Sequence, residues 1–74
     1  MKYSTRLYNL RIDNDLYQKD LANRLGISQQ YYSEYEKGKR ELPIRHLIEL
    51  CKYYNVSADY ILGFTDEYKE LPKK

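Results

Sequence analysis

Three features of the sequence predict an all-α fold of five short helices. Its apolar residues recur at helical spacing, and helix-ending residues punctuate the chain at Asn14-Asp15, Gly26, Gly38, Asn55 and Gly63. Between them, the stretch from Gln18 to Arg40 reads as two short helices set across a tight turn. Seventy-four residues make one small domain with a modest core. We place that domain at residues 1–63 and read residues 64–74, with mixed charges and a proline, as a flexible tail.

The first helix follows a frayed start over residues 1–5, with Ser4 as a candidate cap, and runs to about Asp13. It buries Leu7 and Leu10, helped by Tyr3 or Ile12. Leu16 is a core residue before the second helix, in which Leu21, Ala22 and Leu25 share one face. Gly26 then suits a left-handed C-terminal cap, Ile27 is buried, and Ser28 caps a third helix from Gln29 to Lys37. Pro43 fits the first position of a fourth helix. Its stripe is Ile44, Leu47, Ile48 and Cys51, which leaves His46 pointing outward. Asn55 ends that helix, Val56 is buried, and Ser57 caps a last helix through Leu62.

At about 100° per residue the third helix turns Tyr32, Tyr35 and Glu36 inward, with Tyr31 at the boundary. Gln29, Gln30, Ser33, Glu34 and Lys37 fall on the other side. Such an outer face is suited to reading a polar surface, since a glutamine amide matches the N6/N7 edge of adenine. The net charge is +2, and residues 1–40 alone carry +3, so the positive end coincides with this helix pair. Ten tyrosines stand beside one Phe and no Trp, and we read them as core residues with each hydroxyl reaching the surface.

Other function classes find little support. No apolar run approaches the roughly 18 residues of a membrane span, and no signal-peptide core follows Met1. One cysteine, Cys51, agrees with a cytoplasmic protein, and no residue cluster has metal-ligand spacing. One His, one Cys and no paired carboxylates leave no constellation for an enzyme or a cofactor.

The run LYQKDLANRLGISQQYYSEYEKGKR, continued by LPIRHLIELCKYYNVSADYILG, resembles the phage-repressor (Cro/cI-type, or XRE) family of helix-turn-helix domains. The likeness covers about Leu10 to Gly63, including the Leu-Gly-Ile-Ser turn and the Glu-Lys-Gly-Lys-Arg exit. It implies a compact five-helix lambda-repressor-like domain, with the helix-turn-helix at helices 2 and 3, acting as a sequence-specific regulator of transcription, most simply a repressor. The third helix would then enter the major groove, with Gln29, Gln30, Ser33 and Glu34 as base readers. Gln18, Tyr31, Lys37, Lys39 and Arg40 would position the phosphate backbone. The resemblance also pairs Arg11 with Glu36, whose carboxylate on the inner edge of the helix would be costly if unpaired. Tyr17 departs from the Ser or Thr cap the family leads one to expect, so Asp15 or a bound phosphate would have to serve those amides. Family members usually bind inverted-repeat operators as homodimers, here through Tyr53, Tyr60, Ile61 and Phe64. The competing expectation is a protein-interaction module, an antitoxin or antirepressor gripping its partner through residues 64–74.

Overall fold

The computed structural model describes residues 2–68. In chain order it holds α1 (Tyr3–Asp13), α2 (Gln18–Leu25), α3 (Gln29–Glu36), α4 (Ile44–Tyr54) and α5 (Ala58–Leu62), and no strand among the described residues. Helices α2 and α3 pack as a pair, α1 lies across α3 and α5, and α4 closes the other side against α2 and α5. All five helices feed one core: Leu7, Leu10, Leu21, Ala22, Tyr32, Tyr35, Leu50, Tyr54 and Ile61, joined by Val56 from the α4–α5 connection.

Local chemistry sets most of the boundaries. Asn14 and Asp15 end α1 as expected: the Asn14 amide side chain donates to Leu10 O, and Asp15 adopts φ 55°. Ser57 caps α5 by accepting from Tyr60 N at 3.1 Å. Three ends differ from expectation. Helix α1 begins at Tyr3 behind Lys2, so Ser4 is a buried residue of the first turn and not a cap. Pro43 is the N-cap of α4, one position before the expected place, and Lys37 caps α3 rather than closing it. Ile12 is exposed, and Tyr3 supplies the extra packing on α1.

The largest correction concerns α4. His46, expected to point outward, is 5% exposed, whereas Ile44 and Ile48 are 74% and 48% exposed. The helix is turned by roughly a quarter revolution from the stripe read in the sequence, so Leu50 and Tyr54 face inward. On this inward face His46 Nδ1 lies 2.8 Å from the Tyr35 hydroxyl, a buried contact that gives the imidazole a polar partner. Burial, with Arg45 nearby, lowers the His46 pKa and keeps the ring neutral. Burial also pushes the Tyr35 hydroxyl up to about 12, so a neutral phenol and a neutral imidazole share this bond, either able to donate according to the ring tautomer. Cys51 sits half-buried at the edge of the core.

Nor do all the tyrosine hydroxyls reach the surface. Those of Tyr32 and Tyr54 are buried with no hydrogen-bond partner among the described residues. Burial, then the Glu36 carboxylate nearby, pushes both far above the ordinary tyrosine range.

The stretch after α5 is anchored where it is described. The buried Arg6 guanidinium stacks on the Tyr60 ring at 3.9 Å and donates to Thr65 O and to Asp66 Oδ1. Tyr68 rests edge-on against Tyr60. The rest of the expected tail, residues 69–74, lies outside the described residues.

Candidate nucleic-acid interface

The turn between α2 and α3 is built from the residues the sequence suggested. Gly26 takes φ 70°, and Ile27 N donates to Ala22 O, a left-handed close that a Cβ would strain. Ser28 then accepts from Tyr31 N at 3.0 Å and starts α3 at a fixed angle. At the head of α2 the Asp20 carboxylate accepts from Tyr17 N at 2.8 Å, the N3 half of a capping box, which satisfies the amide of the cap residue itself rather than those a Ser or Thr there would serve.

Behind α3, Arg11 and Glu36 meet in a two-pronged pair: Nε donates to Oε2 at 2.8 Å and Nη2 to Oε1 at 3.0 Å. The Glu36 side chain is only 4% exposed, and its bond holds the Arg11 guanidinium above its usual range. Arg11 also donates to Leu16 O, while Gln18 donates to Glu36 Oε1 at 3.3 Å. One carboxylate thus ties α1 and the head of α2 to the back of α3. Gln18 is therefore half engaged inside the fold, although its side chain still borders the outer surface.

In front of α3, Gln18, Gln29, Gln30, Ser33, Glu34, Lys37 and Lys39 line a single open, polar depression. Tyr31 and Arg40 stand apart, bordering an adjoining depression with Ser28, Gln30 and Glu34. There the Arg40 guanidinium contacts Glu34 Oε1 through Nε at 2.8 Å and Nη2 at 2.7 Å, and lies 4.1 Å over the Tyr31 ring. Arg40 and Glu34 thus neutralise each other, leaving Lys37 and Lys39 as the exposed cations of the main depression. Lys19, not singled out in the sequence, borders a third depression with Arg11, Tyr17, Gln18 and Gln29. Its place directly after Gln18 at a helix start was the available signal.

This geometry has matches among known proteins. A family model described as helix-turn-helix covers residues 7–61, most of the chain. The chain belongs to the Cro/cI-type helix-turn-helix family. Within that family it is similar to YobD, named an uncharacterized HTH-type transcriptional regulator, of Bacillus subtilis: 40% identical over 88% of this chain and 58% of that protein. It is also similar to RstR of Vibrio cholerae, named a cryptic phage transcriptional repressor, with 33% identity over 73% of this chain and 49% of RstR. The chain therefore spans about half the length of these relatives. A transcriptional regulator from Listeria innocua, known by crystal structure, shares the fold with a TM-score of 0.83 over 92% of this chain and 64% of its own, at 24% identity.

Proposed function

We propose that this chain binds double-stranded DNA sequence-specifically and represses transcription in the cytoplasm. The observation that carries this reading is the front of α3, where amides, a hydroxyl and lysines from three segments converge on one open face. The names of its relatives support it, and no described helix is long and apolar enough to cross a membrane.

In this reading the first turn of α3 enters the major groove. Gln29 and Gln30 meet base edges, with Ser33 behind them. Lys37 and Lys39 neutralise phosphates, and Gln18 positions the backbone beside the start of α2. Two copies act together on an inverted repeat, because the small excess of positive charge gives a single copy little hold on DNA. Of the dimer surface expected from the sequence, Ile61 is fully buried and drops out, Tyr60 is half-buried under Arg6, and Tyr53 and Phe64 stay exposed. The rival interaction module loses part of its gripping element, since Thr65 and Asp66 are held by Arg6 of the same chain.

Selection of a random duplex library on the pure protein at near-physiological salt tests this reading. Enrichment of an inverted repeat with half-sites about one helical turn apart is expected. Salt-sensitive background binding with no enriched sequence would overturn it.

A further inference from the structure

Glu34 is an odd residue to find on a face that approaches phosphates. It lines the same depression as Gln29, Gln30 and Ser33, so it stands where bases are read, yet a bare carboxylate there would be repelled by the backbone. The structure answers with Arg40. That side chain returns from beyond the end of α3, clasps Glu34 Oε1 with two nitrogens and lies over the Tyr31 ring. Tyr31 is in turn braced edge-on by Tyr35 of the core, at 5.6 Å between ring centres.

The backbone under the clasp is fixed as well. Gly38 has φ 72°, Lys39 N donates to Glu34 O at 2.9 Å, and the Tyr3 hydroxyl donates to Arg40 O at 3.0 Å. Arg40 is therefore held through its own carbonyl, by a ring and by a carboxylate, with two guanidinium nitrogens sharing one oxygen. A carboxylate has about four lone-pair sites. With Arg40 on Oε1, Glu34 keeps acceptor capacity for a further donor while its charge is offset.

Resting on the DNA-reading function above, we propose that Arg40 is a positioning residue, which holds Glu34 to accept from the N4 amino group of a cytosine in the major groove. Arg40 then acts on one base pair, through Glu34. It is not a general phosphate clamp, the role the family resemblance implied.

The test is a panel of operator duplexes, each differing at one base pair and titrated at several salt concentrations with Glu34→Gln, Arg40→Gln and Arg40→Lys. Wild type prefers C·G at one position by roughly ten-fold or more. Glu34→Gln shifts that position toward A·T, because a glutamine amide pairs with adenine N6/N7. Both Arg40 variants lose the preference at that same position, keep the other base preferences and keep the salt slope. Lysine fails to rescue because it preserves charge but not the fork or the stacking.

If Arg40→Gln weakens all sequences alike, lowers the salt slope by about one, and is rescued by Arg40→Lys, Arg40 is a phosphate contact and the proposal is overturned. A wild type that selects an operator but is indifferent at every position altered by Glu34→Gln overturns it too. A wild type that selects no sequence brings down the DNA-reading function itself, and this proposal with it.

Discussion

Helix α3 carries two glutamates two residues apart, Glu34 and Glu36, and each meets an arginine from elsewhere in the chain. Two residues along a helix are about 200° around it, so the pairs lie on opposite faces. Behind, Arg11 and Glu36 side chains are 11% and 4% exposed; in front, Arg40 and Glu34 are 45% and 30% exposed. The ionic chemistry is the same and the surroundings are not. In the buried pair each charge depends on its partner, because water cannot replace it. In the exposed pair either charge can return to water at small cost, so the pair adds little to stability. The difference shows how surroundings set the worth of one kind of ion pair: behind α3 the charges must be paired, and in front of it they need not be.

The strongest way to break this contrast is Arg11→Ala. Leaving Glu36 buried and unpaired should cost about 3 kcal/mol. For a domain of this size the melting temperature should then fall by roughly 10 °C or more in a circular-dichroism melt. A melt within about 2 °C of wild type would show that the buried pair holds nothing together.

On the front of the helix, Gln30→Ala should leave the melt unchanged and cost about 1–3 kcal/mol of binding at one base pair of the selected operator. Lys39→Ala should instead weaken all sequences alike and lower the salt slope by about one. Identical behaviour in the two variants would erase the division between base reading and backbone holding.

The inner contact between Tyr35 and His46 sharpens the comparison through pH. The folded His46 pKa is lowered, so the unfolded chain binds the proton more readily. The stability present above the unfolded value, near 6.5, is therefore lost as pH falls toward the lower folded value. Between pH 7 and pH 5.5 the wild-type melting temperature should fall more steeply than that of His46→Gln; parallel slopes would mean the ring is not held neutral by the fold. The smallest effect belongs to Arg40→Ala, whose melt should shift by no more than about 2 °C because its charges stay in solvent. A larger loss would put the front pair in the same structural class as the back pair.

How far the sequence reached can be judged at particular residues. Gly26, Ser28, Asn55, Ser57 and Gly63 mark helix ends by local chemistry, a left-handed backbone or a hydroxyl beside a free amide, and all five do so in the structure. The split of α3 into an inner face of Tyr32 and Tyr35 and an outer polar face follows from its strict periodicity. The partner of Glu36 came from the family resemblance, since nothing in spacing alone links two residues on different helices.

What the sequence determined by itself was the number, order and approximate ends of the helices, together with the polar set on the front of α3. Capping, helix period and turn geometry act over a few neighbouring residues and are written in them. Only the tertiary structure decided which way α4 faces. With Ile44, Leu47, Ile48, Leu50, Cys51 and Tyr54 spread around one helix, several stripes are apolar enough to be buried. The face that is buried carries Leu50 and Tyr54 and brings His46 to within 2.8 Å of the Tyr35 hydroxyl on α3, a contact between helices that no periodicity within α4 contains. Tertiary contact likewise joined Arg40 to Glu34, seated Arg6 on Tyr60 and Asp66, and buried Ile61. Each depends on where a side chain meets another helix or segment, a distance no local rule contains.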